Sequence, residues 1–576
     1  MLKLLKYFKN YRKEAVCAPF FKLLEATFEL LVPLVVAKII DNGIAAKDIS
    51  YIIKMSLLMV ALGAIGLIST LIAQFFAAKA SVGFVKQVRH AMFDRFQNLS
   101  FSEIDTVGTS NMITLMTSDV NQVQNGVNLT LRLFMRSPFI VFGAMVMAFT
   151  IDFKSAMTFV VTIPLLSIVV FGIMLITIPL YKKVQNRLNT VLNDTRENLL
   201  GVRVIRAFCK EKTETDNFDS DNSSLALLQK FVGKISALMN PLTYVIINFA
   251  IIVLIYNGAI SVNSGRISTG QVIALYNYMS QILIELIKLA NLIINITKTV
   301  ACGNRIQTVL EIESSMQETD NPQPTRENDS PAVEFDNVNL KYNGAGDYSL
   351  KDLDFKVNRG ETVGIIGSTG SGKTSLINLI TRFYDTTDGT VKIFGNDIKN
   401  YSTKDLHRFI GIVMQHSTLF RGSVKENIKF SNENATDEDV ISALKTAEAY
   451  DFCFEKDGGL DYMTEAGGKN FSGGQRQRLI IARTLLLKPK ILIFDDSFSA
   501  LDYATEAKLR NNIKKLDFKP TVFIVSQRAS SIMYADKIIV LDDGKISGIG
   551  THNDLLNNNE IYTEIYNTQF KSGVKQ

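Results

Sequence analysis

Six apolar stretches of about 20 to 28 residues crowd the first 300 positions of the chain, near 15–40, 52–78, 128–151, 156–180, 237–262 and 270–298. A helix needs about that length to cross a hydrocarbon core roughly 30 Å thick. Backbone placed in lipid must satisfy its own hydrogen bonds, so the stretches are expected to be helices, and most soluble folds are excluded. Pro33, Pro138, Pro164, Pro179 and Pro241 fall within or at the ends of these stretches, where neighbouring helices or water can meet the carbonyls they free. The amino-terminal MLKLLKYFKNYRKE is too basic for a cleavable signal peptide and leads into a long helix.

Lys and Arg are unevenly spread between the stretches. Lys3, Lys6, Lys9, Arg12 and Lys13 precede the first; Lys79, Lys86, Arg89 and Arg95 follow the second; Lys182, Lys183, Arg187, Arg196, Arg203, Arg206, Lys210 and Lys212 follow the fourth. The alternate loops hold little beyond Lys47, Lys154 and Arg266. The positive-inside rule therefore predicts both termini in the cytosol of a multi-pass cell-membrane protein. The cytosolic segments 79–127 and 181–236 keep helical spacing, with Leu188, Val191, Leu192 and Leu199 on one face. They read as stalks, with polar tips near 102–108 and 209–217 as contact points.

After residue 311 the texture changes. The segment 312–331 is polar, acidic and broken by Pro322, Pro324 and Pro331, the pattern of a linker. From 332 to 576 short β-rich runs alternate with helical patterns, so an α/β domain is expected. The mean hydropathy of +0.15 over 576 residues is an average of these unlike parts, and a net charge of +6 gives no reason to invoke nucleic acid. Cys17, Cys209, Cys302 and Cys453 are too few and too scattered for a disulfide scaffold or a metal cluster.

The strongest motif is Gly367-Ser368-Thr369-Gly370-Ser371-Gly372-Lys373-Thr374, directly after the strand ETVGIIG and before the helical TSLINLITRFY. Glycines let backbone N–H groups wrap a polyphosphate, Lys373 reaches the β and γ phosphates, and the Thr374 hydroxyl can ligate Mg²⁺. Downstream, KILIFD is a buried strand ending on Asp495, the carboxylate that such a loop needs to hold magnesium. Between them lies FSGGQRQR, in which Ser472, Gly473, Gly474 and Gln475 open an apolar helix and offer free N–H groups to an anion.

Together, GSTGSGKT, FSGGQRQR and ILIFDD resemble the nucleotide-binding domain of an ABC transporter, and the six preceding spans with long stalks look like an exporter-type half-transporter. The resemblance covers nearly the whole chain and is nearest to one subunit of the bacterial heterodimeric multidrug exporters. It implies an all-α six-helix transmembrane domain with cytosolic helix extensions over 1–311, followed by an α/β P-loop ABC domain over 332–576. It also implies residue roles: Tyr342 stacking on adenine, Gln415 touching Mg²⁺ as the Q-loop glutamine, Asp502 in the D-loop Ser499-Ala500-Leu501-Asp502, and Glu465 in a segment that meets the stalk tips. ATP and Mg²⁺ are the implied cofactors.

Two positions depart from the family pattern. Its catalytic base is a Glu after the magnesium Asp, and here that position is Asp496. One methylene fewer withdraws the carboxylate by roughly 1.5 Å, while a general base must come within about 2.6–3.2 Å of its water. Its switch histidine is replaced by Gln527, which can hydrogen-bond a phosphate but carries no titratable proton. Because the family sandwiches each ATP between the P-loop of one chain and the signature of another, the expectation is a degenerate own site, an intact FSGGQ serving a partner, and an obligate heterodimer with a homologous half-transporter. A homodimeric lipid flippase and an ATP-gated regulator or channel are the alternatives. On the substrate side, Glu25 and Glu29 lie one turn apart in the first stretch; such carboxylates are costly in lipid. They are candidates to attract a cationic or amphiphilic drug, with pairing to Lys22 or another helix as the alternative, and Glu285 and Lys288 are expected to neutralise each other. Hydrophobic or amphiphilic compounds and the lipid bilayer are the expected partners.

Overall fold

The structure, a computed structural model, describes residues 1–316, 319 and 330–570. Of the linker expected at 312–331, residues 317–318 and 320–329 lie outside the described residues. The chain divides into two compact units, one of Met1–Gln97 with Val107–Ile312, the other of Asn98–Thr106 with the residues from Glu313 onward.

The first unit is helical: α1 (Arg12–Lys38), α2 (Ile49–Gln97), α4 (Thr109–Thr114), α5 (Val120–Leu133), α6 (Arg136–Ile151), α7 (Phe153–Leu200), α8 (Val202–Ala207), α9 (Glu211–Ala237), α10 (Met239–Asn263) and α11 (Thr269–Leu310), with α3 (Phe101–Val107) joining α2 to α4. Among the described residues, five helical segments are long and apolar enough to span a membrane: Ile49–Gln97, Thr109–Ile151, Phe153–Leu200, Glu211–Asn263 and Thr269–Leu310. The sixth expected span, near 15–40, is helical as α1 but falls outside that set, because Lys22, Glu25 and Glu29 interrupt its apolar window. At 49 residues α2 runs about 70 Å, far beyond a bilayer core, as the stalk reading requires. Pro164 and Pro179 lie inside α7, whereas Pro138 and Pro241 sit in the first turns of α6 and α10, where the missing N–H costs nothing.

The helices meet on small residues. Ala26, Ala37, Ala144, Ala148, Ala156, Ala250 and Ala274 are buried in one core with Leu254, Tyr278, Met279 and Ile282, the packing that lets helices approach closely where apolar burial alone gives no preference. The second expected stalk tip is displaced. The short helix is α8, and CKEKTETDN at 209–217 supplies a turn and the first turns of α9, where Glu211 and Glu214 suit a helix amino terminus.

The second unit holds two larger sheets. Antiparallel β1 (Val333–Leu340), β2 (Leu350–Val357), β4 (Asp388–Ile393) and β5 (Asn396–Asp397) run in the order β2-β1-β4-β5. The other sheet has the order β12-β11-β3-β10-β9-β6, with β3 (Thr362–Gly367), β6 (Ile410–Val413), β9 (Ile491–Asp495), β10 (Thr521–Val525) and β11 (Lys537–Asp542) parallel and β12 (Lys545–Gly550) an antiparallel edge. Two two-residue strands, β7 (Gly422–Ser423) and β8 (Met463–Thr464), pair separately. β9 and β10 are buried at every residue, as a parallel sheet covered on both faces demands. Alternate residues feed two cores: Leu492, Phe494, Val522 and Ile524 into one, Ile491, Ile493, Phe523 and Val525 into the other. Cys302 and Cys453 are buried, and burial pushes the Cys453 thiol up to about 12, leaving it inert.

Candidate functional site

The P-loop follows the carboxyl end of β3 and opens α12 (Lys373–Ile380), where open α/β sheets bind ligands. Its glycines are needed where they stand. Gly370 and Gly372 have φ of +87° and +98°, and a Cβ on Gly367 would strike the Leu541 carbonyl. Lys373 Nζ donates to Gly367 O at 2.9 Å and Ser368 O at 2.6 Å, which points the ammonium back across the loop.

A cavity of about 460 Å³ opens here, lined by Thr369, Gly370, Gly372, Lys373, Thr374, Gln415, Asp495, Asp496 and Gln527. Residues predicted from separate motifs between Thr369 and Gln527 thus line one cavity. Asp495 ends β9 and is almost fully buried. Burial and then the neighbouring Asp496 lift its carboxyl above the usual range, while a hydrogen bond from Thr374 and the charge of Lys373 work the other way. Burial also lifts Asp496, against the pull of Arg528 and Lys373. Lys373 itself is lowered by burial. Asp496 adopts a left-handed φ of +47° and its N–H donates to Val525 O at 3.0 Å; Gln415 Nε2 reaches Asp496 Oδ2 at 3.4 Å. A hydroxyl beside two carboxylates is a hard oxygen donor set that fits Mg²⁺.

Other expected residues are elsewhere. Tyr342 is not on the cavity wall: its hydroxyl donates to Ser375 Oγ at 3.0 Å and its ring meets Tyr384 edge-on at 4.9 Å. The aromatic on the wall is Tyr348, with Ser349, Asp543 and Gly544 beside it. The sequence signal for these was the tight DDG turn joining β11 to β12, in which Asp543 and Gly544 both take positive φ. Ser472 caps the helix Gly473–Leu486 in a reciprocal capping box with Gln475, and it is exposed and absent from the cavity. Asp502 caps the helix Tyr503–Lys514, and the Thr505 backbone N–H and hydroxyl hold its carboxyl below the usual range. Glu465 is exposed beside a short turn.

Residues 98–106, the first expected tip, pack within the second unit. Phe101 lies 4.5 Å from the Phe383 ring, Asn343 Nδ2 donates to Ser102 Oγ at 3.0 Å, and the Tyr384 hydroxyl bonds Asp105. Burial and then Asp105 raise the Tyr384 phenol.

In the helical unit both candidate carboxylates are already engaged. Glu25 pairs with Lys22, and Glu29 accepts from Arg136 Nη2 at 2.6 Å. The expected Glu285–Lys288 pair forms at 2.8 Å, and Arg136 Nη1 joins it at 2.7 Å. Sequence reading overlooks Arg136; its signal is a guanidinium inside an apolar stretch, which must find carboxylates.

Residues 16–286 match the family model described as the ABC transporter transmembrane region, and residues 350–499 match that described as ABC transporter. A Bacillus subtilis (strain 168) protein described as the uncharacterized ABC transporter ATP-binding protein YfiB is 33% identical over 570 residues, covering 99% of each chain. An uncharacterized ABC transporter ATP-binding protein of Mycobacterium tuberculosis (strain CDC 1551 / Oshkosh) is 32% identical over 573 residues, 99% of this chain and 98% of its own. Among solved structures, a bacterial Atm1-family ABC exporter with ATP bound superposes with a TM-score of 0.80 at 23% identity, covering 97% of this chain and 98% of the other, which shows the same fold. With a membrane-spanning helical unit and an ABC ATPase domain joined in one polypeptide, the chain belongs to the ABC transporter family.

Proposed function

We propose that the chain is the slow-site half of a heterodimeric exporter that moves hydrophobic or amphiphilic compounds out of the cytosol or its facing leaflet. The observation that carries this is the pairing of Asp496 and Gln527 on one cavity wall, where the family places a Glu base and a His switch. The polyphosphate of ATP lies along the N–H groups of 369–374 with Lys373 as its counter-charge, and Tyr348 is the aromatic on the wall nearest the loop. Thr374, Asp495 and Gln415 would hold Mg²⁺, which would supply charge neutralisation to the polyphosphate. Asp496 stops short of the attacking water and Gln527 cannot take up a proton, so this site holds ATP and turns it over slowly.

The signature Ser472-Gly473-Gly474-Gln475 is intact and capped, with Ser472 and Gly473 exposed and Gly474 and Gln475 half-buried, and none of the four lines its own chain's cavity. It serves the γ-phosphate on a partner's P-loop, and the partner contributes the Glu and the His. The excess of Lys and Arg on the stalk side supports a cytosolic ATPase domain and cytosolic termini at the cell membrane. The test is to purify the chain alone and with a co-expressed half-transporter that carries the Glu and His. The chain alone is expected to bind ATP with almost no turnover, and the pair to hydrolyse it; a homodimer hydrolysing at the pair's rate overturns the proposal.

A further inference from the structure

Arg136, the first residue of α6, is buried and joins its own helix to two others, α1 and α11. Nη1 donates to Glu285 on α11 at 2.7 Å, Nη2 donates to Glu29 on α1 at 2.6 Å, and Nε lies 3.8 Å from Glu25 Oε1 without a hydrogen-bond partner. The two sides of this cluster are built differently. On the α11 side Glu285 is 4% exposed and both oxygens are taken, Oε1 by Arg136 and Lys288, Oε2 by Ser137 of α6 at 2.8 Å. On the α1 side Glu29 is 38% exposed and bonds Arg136, while Glu25 has Lys22 on its own helix.

The cluster therefore divides along one line at low cost. If α1 withdraws from α6, Glu25 keeps Lys22, Glu285 keeps Arg136, Ser137 and Lys288, and the carboxylate set free is the more exposed of the two that Arg136 bonds. If α11 withdrew from α6, Glu285 would lose two of its three donors inside the protein, the costlier break. In packing, Ala26, Leu30 and Ala37 of α1 share the core of α6 and α11, and the α1–α6 seam also carries a cavity of about 560 Å³, lined by Leu30, Leu31, Pro138, Phe142 and Val146. The buried Ile140, Val141 and Ala144 of α6 share a core with Tyr278, Ile282 and Leu286 of α11. Tyr278 Oη also donates to Leu30 O at 2.6 Å, a neutral tie from α11 to α1.

We propose that Arg136 is a positioning residue of the transport cycle, with a permanent arm to Glu285 that holds α6 and α11 as one body and a releasable arm to Glu29 that opens and closes as α1 moves. This needs only that the chain is part of an ATP-driven transporter, and it stands whichever subunit carries the fast site.

The test uses the full chain, with any subunit that co-purifies, in lipid vesicles. The native cysteines are replaced by Ser and a reporter pair is placed at Leu30→Cys and Gly143→Cys, positions in direct contact across the α1–α6 seam. Disulfide formation is followed with and without ATP plus vanadate. The parent is expected to cross-link fast without nucleotide and slowly when trapped. Glu29→Gln is expected to shift the nucleotide-free protein toward the trapped rate by about tenfold, the loss of one charge-assisted hydrogen bond. Arg136→Lys, whose single ammonium cannot bridge both carboxylates, should follow it. Glu285→Gln is expected to lower the yield of folded protein while leaving the ratio of the two rates unchanged. Tyr278→Phe separates the neutral tie and should change the nucleotide-free rate less than Glu29→Gln. Parent-like rates in Glu29→Gln, or a parent cross-link indifferent to nucleotide, overturn the proposal.

Discussion

Two places in this chain bury several charges together, and they are built on opposite principles. Around Arg136 three carboxylates from two helices are matched by Arg136, Lys22 and Lys288, and the most deeply buried of them, Glu285, has three donors. In the nucleotide cavity Asp495 and Asp496 are adjacent, and burial outweighs Lys373 and Arg528 enough to lift both carboxyls. The first cluster is complete without anything from outside and so works as a mechanical part. In the second, burial weighs against both carboxylate charges despite the nearby Lys373 and Arg528, a burden that a bound cation would relieve.

Removing the keystone of the closed cluster should have the largest effect. Arg136→Met leaves Glu29 and Glu285 without their shared partner and is expected to destabilise the protein by about 3–5 kcal/mol, read as a fall in thermal midpoint in detergent; Arg136→Met with Glu285→Leu and Glu29→Gln should recover much of it. In the open cluster, Lys373→Ala is expected to weaken ATP binding about 100-fold, about 3 kcal/mol, with the melting point of the nucleotide-free protein nearly unchanged.

Asp495→Asn sharpens the contrast through its sign. A carboxyl whose folded pKa is raised burdens the fold above that value, and the burden disappears as pH falls below the unfolded pKa. Asp495→Asn should therefore stabilise the nucleotide-free protein near neutral pH by about 0.5–2 kcal/mol, show no gain near about pH 3, and abolish the further stabilisation that Mg²⁺ with ATP gives the parent. Thermal melts at both pH values, with and without Mg²⁺–ATP, read all three. The smallest effect expected is that of Asp496→Glu, a loss of about 1 kcal/mol in stability with a measurable rise in turnover by the chain's own site.

How much of the molecule is legible in sequence depends on how local each signal is. The P-loop, Asp495 and the signature helix are each written within a few adjacent residues whose backbone does the work, and the structure places them as read. α1 is legible as a helix, but its charges remove it from the plainly apolar segments, since composition over a window does not say which charges are neutralised inside. The Arg136 cluster joins residues 107 and 149 positions apart, and no local pattern encodes that. Tyr342 and Tyr348 are both aromatic residues near the right strand; Tyr348 lines the cavity, while Tyr342 reaches its lining only through the hydroxyl bonded to Ser375. The tip near 209–217 is misplaced from sequence because a short helix, Val202–Ala207, and the long helix after it differ from one continuous helix only at the turn between them.

The left-handed backbone at Asp496 gives the choice of Asp at this position a conformational meaning. Asp tolerates that region better than Glu, since its short side chain can bond locally. A chain that must fit the longer base into the same turn carries more torsional tension next to the nucleotide. With Asp at this position that tension is eased, and the turn between β9 and the following loop rests at a lower torsional cost than a longer carboxylate would impose.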